Sequence, residues 1–451
     1  MRETLIHGGT LVTHDERRRI FTGNLLIRGN KIAAVEPHVG RARSRSSLRR
    51  VIDARGCVVI PGLIQAHVHL CQTLLRNQAE DLPLLDWLSQ KVWPFEARHT
   101  PATLASSAAL GIAEMIGCGV TAALDMGTVH HTRAIFEVAQ NTGFRIITGN
   151  AIMDETARAA EASGGPVVLG VSGRDALLES DRLIAKWHGA ADGRLHFAYA
   201  PRFILSTTDD TAREVATLAA RRHLLVHTHA SEHPAEVRAV AARYGGKSNI
   251  AALADLGLLA SNARIAHGVH LDDEDRLLLS RSGAVIVHCP SSNLKLGSGI
   301  ADVPALLAAG IPVALGSDGA PCNNALDIFR ELRLAALLPK TRYGPAAFSA
   351  RAVFDLATLG GAHALLASRS LGSLEPGKLA DVVVLDFANA LHTTPTLASD
   401  LYTALVYAAD PRNVRDVLID GTPVLLDRKH TTLDISATRK DAQMALATLQ
   451  P

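Results

Sequence analysis

The sequence predicts an α/β chain built as a (β/α)8 TIM-like barrel, with a small β-sandwich domain made from both chain termini. Three observations carry that prediction. Across residues 61–368, eight short apolar runs alternate with longer Ala-, Leu-, Glu- and Arg-rich stretches of helical period, and βα units in that number close into a parallel barrel. Outside that span, in residues 1–60 and 369–451, the texture changes to short strands broken by turns. The two ends of a folded unit commonly lie close together, so these flanking segments are expected to share one small domain.

In chain order, residues 4–12 form a strand-like run expected to turn over at the Gly8–Gly9 pair. Residues 24–35 read as a hairpin with Gly29 and Asn30 at its turn. The first barrel run enters at Val58 and leads to His67. The others cover residues 120–124, 144–147, 195–199, 224–227, 263–266, 284–287 and 311–315. Strand texture returns at residues 380–385 and 414–426.

Composition narrows the function classes. Apolar residues make up 47% of the 451-residue chain, which is enough to bury a large core, and 46 basic against 44 acidic residues leave no global field to attract nucleic acid or an anionic membrane. The basic run 41–50 reads as a solvated loop. Five scattered cysteines suit reduced thiols rather than a disulfide framework. The first residues carry no apolar signal segment, and no apolar run is long enough to span a membrane. A cytoplasmic protein is expected.

The chemically informative residues stand where the apolar runs end. His67 and His69 are two apart, so on a strand they face the same way and can grip one ion. His227 and His229 lead to Glu232; His267 and Asp318 end two further runs. Taken singly each has a plain account: a satisfied strand pair, a core histidine, an N-cap. Carboxyl ends of barrel strands all open onto one face, however, and four of them carry metal-type or acid–base residues. Imidazole nitrogen with one carboxylate suits Zn²⁺, which acidifies water, and Glu232 is placed to move the proton.

The ordered set His67-x-His69, His229-x-x-Glu232, His267 and Asp318 resembles the single-metal aminohydrolase branch of the amidohydrolase superfamily. The flanking stretches 65–74, 84–88, 92–96, 288–296, 317–324 and 371–381 extend the likeness over nearly the whole chain. They are similar to the group of 5'-deoxyadenosine, methylthioadenosine and S-adenosylhomocysteine deaminases, with guanine deaminase and s-triazine hydrolases of the N-ethylammeline type as further relatives. The resemblance implies one Zn²⁺ per subunit, with Fe²⁺ or Mn²⁺ as alternatives, held by His67, His69, His229 and Asp318. It further implies catalytic roles for Glu232, His267 and Asp318, and metal-activated water attacking an amino-bearing ring carbon of an adenine nucleoside with release of ammonia. The alternatives are an s-triazine hydrolase, a guanine deaminase, or a non-catalytic scaffold, the last opposed by the complete ligand set. A small heterocyclic substrate and a homo-oligomer are expected.

Substrate residues are less sharply marked. Glu96 matches a carboxylate that the nucleoside deaminases use on ribose hydroxyls, or it begins a helix after Pro94. Gln72 reads a base edge or caps the next helix; Trp87 and Trp93 line an aromatic wall for a flat heterocycle or pack the first helix. Arg202 departs from the Pro-His pair of the methylthioadenosine enzymes and is closer to guanine deaminase and the 5'-deoxyadenosine deaminase group. His233, Asn77 and Asn150 also depart from the pattern, replacing the Asn, Gly and Lys common in relatives.

Overall fold

A computed structural model describes residues 3–37, 50–163, 168–395 and 397–450. Met1, Arg2 and the basic run up to Arg49 lie outside the described residues.

All eight apolar runs become parallel strands of one sheet. They are Leu63–His69, Val120–Asp125, Arg145–Thr148 continued by Ala151–Ile152, Leu195–Pro201, Leu225–Ala230, Ala263–His267, Val285–His288, and Val313–Leu315 continued by Asp318–Gly319. Every residue of the first two is buried, as expected of strands covered on both faces. Closure depends on a break in the eighth strand. Val313–Leu315 pairs with the seventh strand (Val287 opposite Ala314), whereas Asp318–Gly319 pairs with the first (Asp318 opposite Val68). At the break, a Cβ on Gly316 would sit 2.8 Å from the His67 carbonyl oxygen, so glycine lets the two backbones meet.

The helices between strands carry legible start signals. Thr100, Ser172, Thr208 and Asp272 cap the helices Pro101–Gly117, Gly173–Trp187, Asp209–Arg222 and Asp273–Ser282 with their side chains. These helices bury their apolar faces on the outer wall of the barrel, in one large cluster with the strands.

The second sheet is mixed and draws on both ends of the chain. Its order is Lys429–His430, Thr422–Leu426, Val414–Ile419, Val382–Asp386, Cys57–Pro61, Glu3–Val12, Ile20–Arg28, Lys31–Pro37, with Arg50–Asp53 beside Glu3–Val12. The N- and C-terminal parts join where Cys57–Pro61 runs antiparallel to Val382–Asp386. The run entering at Val58 is therefore two strands, one in each sheet. They part at Gly62, where a Cβ would lie 2.1 Å from Thr121 Oγ1. The Gly8–Gly9 pair is also not a turn: Glu3–Val12 is one strand, with a register shift between Ile6 and Gly9 where His7 and Gly8 bulge opposite Asn24. The final helix, Ile435–Leu449, buries Ala442, Ala445 and Leu449 against the Leu84–Phe95 region of the barrel. The five cysteines are free and buried.

Candidate active site at the carboxyl end of the barrel

His67, His69, His229 and Asp318 come from the first, fifth and eighth strands, and one ligand atom of each lies within 4.8 Å of all the others. His69 Nε2 stands 3.1 Å from His229 Nε2 and 3.2 Å from Asp318 Oδ1, and His67 Nε2 is 3.2 Å from the same oxygen. Ligand atoms sharing an ion at 2.0–2.2 Å in a tetrahedron stand roughly 3.3–3.6 Å apart. Three imidazole nitrogens and a carboxylate oxygen at this spacing fit a borderline cation; buried lone pairs facing one another are otherwise unfavourable.

Groups around the cluster hold these rings in place. His229 Nδ1 donates to the Arg202 carbonyl oxygen at 2.7 Å, leaving Nε2 as its free lone pair. Asp318 Oδ2 accepts from Ser292 Oγ at 2.6 Å, and Oδ1 from the Gly319 amide at 2.8 Å. Burial would raise the Asp318 carboxyl, but the His67 and His69 rings beside it hold it well below the usual carboxylate range. His267 donates through Nδ1 to Asn293 Oδ1 at 2.8 Å, so Nε2 faces the cluster as an acceptor. Burial lowers the His267 pKa to about 4, so this ring is neutral near pH 7.

The backbone is strained here. Ser231, His267 and Asp318 adopt φ of 56°, 78° and 62°, left-handed values that cost roughly 1–3 kcal/mol each for residues with a side chain. They stand at strand ends, where the chain must turn sharply while aiming a side chain inward.

Glu232 follows the fifth strand. Its Oε2 lies 3.3 Å from His267 Nε2, and its Oε1 is buried without a partner. Burial, with the neighbouring carboxylates of Asp318 and Glu236, pushes the Glu232 carboxyl well above its ordinary range. Its backbone is held by Glu236, whose Oε2 accepts the Glu232 amide at 2.7 Å.

A small cavity of about 30 Å³ opens beside this cluster, lined by His69, Gln72, Leu84, Trp87, Leu88, Arg202, Phe203, His229, Glu232 and His267, among others. Gln72 and Arg202 thus reach the cavity. Glu96 lies behind them, 2% exposed, its carboxylate clamped by Arg202 through bonds of 2.6 and 3.0 Å and by Gln72 Nε2 at 2.8 Å. Burial disfavours a charged carboxylate, yet the Arg202 charge and hydrogen bonds keep the Glu96 pKa below normal. Trp87 lines the cavity and donates through Nε1 to the Ala79 carbonyl. Trp93 stands outside the lining, against Val129 and Met153, with its indole N–H buried and unpartnered. Sequence reasoning missed Ser292 and Asn293 as supports of Asp318 and His267; the polar run Ser291-Ser292-Asn293, two residues past the seventh strand, was the available signal.

Comparison with known proteins agrees with this arrangement. The chain is 40% identical over 395 residues to a protein of Halobacterium salinarum named 5-methylthioadenosine/S-adenosylhomocysteine deaminase, covering 87% of this chain and 86% of that one. A protein of the same name from Syntrophobacter fumaroxidans is 36% identical over 448 residues, covering 99% and 98%. A solved structure described as an adenosine deaminase from Xanthomonas campestris with bound zinc superposes with a TM-score of 0.90 at 32% identity, covering 99% and 98%. The family model for the amidohydrolase family matches residues 58–424, a span that takes in all eight strands and every residue of the cluster. The chain belongs to the amidohydrolase family, whose members depend on a metal.

Proposed function

We propose that this chain is a zinc-dependent hydrolytic deaminase of adenine nucleosides of the 5'-deoxyadenosine, methylthioadenosine or S-adenosylhomocysteine type, releasing ammonia. One observation carries the reading: a four-donor cluster of cation geometry lies within reach of a buried carboxyl of high proton affinity. His67, His69, His229 and Asp318 are the ligands in this reading. Zinc held there supplies Lewis acidity, which brings the ionisation of water toward neutral pH.

The chain's own groups do the rest. Glu232 takes one proton of the attacking water and passes it to the ring nitrogen beside the amino-bearing carbon, then takes the second from the new hydroxyl on that carbon and gives it to the amine, which departs as ammonia as the C–N bond breaks. A carboxyl with raised pKa suits both directions of that transfer. His267 Nε2, an acceptor, orients the water. The Gln72 and Arg202 side chains grip the polar edge of the heterocycle, while Trp87, Leu88 and Phe203 cover its faces and exclude solvent. Sites for small ligands have volumes of roughly 300–1,000 Å³, so a nucleoside needs more room than the 30 Å³ of this cavity.

A second reading has support from one observation. Both Glu96 oxygens already accept hydrogen bonds from Arg202, and Gln72 adds another, an arrangement that suits a substrate without a ribose diol, such as guanine or an aminotriazine. The deciding experiment is an ammonia-release screen of the purified protein across adenosine analogues, guanine and aminotriazines, with metal content assayed in parallel. Turnover of 5'-deoxyadenosine or methylthioadenosine above the free bases supports the nucleoside reading. Turnover confined to guanine or a triazine replaces it with the second.

A further inference from the structure

His227 is fully buried in the barrel, two residues before His229 and on the same face of the fifth strand. Its Nε2 lies 2.7 Å from Nδ1 of His67, with the two rings nearly perpendicular at 87°. A gap of 2.7 Å between two ring nitrogens holds one proton, and its ownership matters. If His227 donates, His67 accepts at Nδ1 and must carry its own proton on Nε2, the nitrogen that faces Asp318. If His227 accepts, His67 is protonated at Nδ1 and Nε2 is a free lone pair aimed at the ligand cluster. A neutral His227 that accepts at Nε2 carries its proton on Nδ1. That Nδ1 is buried with no hydrogen-bond partner whether or not it carries the proton, so the choice falls to the His67 side of the pair, where only a free Nε2 can bind a cation.

We propose that His227 is a positioning residue for the metal centre: by accepting the Nδ1 proton of His67 it selects the tautomer and ring orientation in which His67 Nε2 can bind a cation. This rests on the metal-site reading above. It goes beyond it by giving a role to a residue outside the ligand set and outside the cavity lining. A ring partner one layer below the ligand does for His67 what the Arg202 carbonyl does for His229, and such partners are worth 10- to 100-fold in metal affinity.

The test compares two amides. In His227→Gln the side-chain oxygen reaches the place of Nε2 and can still accept from His67. In His227→Asn the amide is one methylene shorter, so His67 Nδ1–H is left without its partner. Zinc affinity is measured by competition with a chromophoric chelator, and the ligand field by visible absorption after cobalt(II) substitution. The expected result is near wild-type affinity and spectrum for His227→Gln, with affinity about 10- to 100-fold weaker and a changed cobalt spectrum for His227→Asn. Equal zinc affinity in the two variants overturns the role of His227 while leaving the ligand set standing. Wild-type protein that takes up neither zinc nor cobalt overturns the metal-site reading and this inference with it. Should His227→Asn fail to fold, His227→Phe, a ring of similar size with no nitrogen, takes its place with the same expectations. If only His227→Gln folds, its own result decides: affinity at the wild-type level supports the role, and a loss beyond 10-fold overturns it.

Discussion

The two ends of the barrel bury polar groups and pair them to different degrees. At the floor, where strands begin, Arg145 is paired with Asp381 through Nε and Nη2, both at 3.1 Å, and with Asp420 at 2.6 Å; its Nη1 donates to the Gly193 carbonyl. Arg264, almost wholly inaccessible, spends its three nitrogens on the carbonyl oxygens of Ala364, Ser261, Ala263 and His363. Both guanidiniums are engaged at every nitrogen. Thr121 Oγ1 and Arg194 Nε at the floor lack partners, and at the carboxyl end the unpaired atoms crowd into one place. His69 Nδ1, Gln72 Oε1 and Glu232 Oε1 are buried with no partner, and Ser231, His267 and Asp318 hold left-handed backbone. Unpaired buried polar atoms each cost about 1–3 kcal/mol, so a fold that keeps several in one place is holding them for something else to bind. The floor contributes stability; the carboxyl end gives some of it up for function.

Glu232→Gln breaks the comparison most sharply. Turnover should fall on the order of 10²–10⁴-fold, with metal content retained and the thermal midpoint unchanged or raised, because a buried carboxyl facing Asp318 has been neutralised. Near-normal turnover in a metal-loaded variant would remove Glu232 from the chemistry.

At the floor the expectation is reversed. Asp381→Ala leaves Arg145 with Asp420 alone, and breaking a buried pair costs about 3–5 kcal/mol; the remaining partner places this variant near the lower figure. Denaturant titration should show that loss while kcat/KM per folded molecule stays at the wild-type value. A fall in kcat/KM larger than the fall in folded fraction would mean that the two ends are coupled.

Glu96→Gln sharpens the comparison within the carboxyl end. Loss of its charged hydrogen bonds should cost roughly 1.5–3 kcal/mol, read as kcat/KM on 5'-deoxyadenosine and on a free base with the same variant. A loss confined to the nucleoside assigns Glu96 to the ribose. Equal losses on both substrates assign it to holding Arg202 and Gln72.

The smallest effect is expected from Trp93→Phe. This side chain packs outside the cavity lining with its N–H unpartnered, so turnover should change less than about twofold, since nothing beyond packing is lost. A tenfold loss would place the indole in the substrate's path.

Much of this was legible in residue order for local reasons. Strands covered on both faces must be continuously apolar, so eight such runs declared the barrel. Period-two alternation put His67 and His69 on one face, and residues just past an apolar run lie at strand ends whatever the details of packing. Those rules require no knowledge of neighbours, and they located His229, Glu232, His267 and Asp318. Contacts between segments far apart in sequence follow no such rule. The clamp on Glu96 joins residues 106 positions apart, the His67–His227 pair 160, and the barrel closes by Asp318 meeting Val68. Likewise the Gly8–Gly9 pair could be a turn or a bulge until Arg50–Asp53 and Cys57–Pro61 are placed beside its strand. Local pattern determined which residues sit at the mouth of the barrel; only the closed tertiary structure decided which side chain each one faces, because that depends on strands that meet only once the chain has folded.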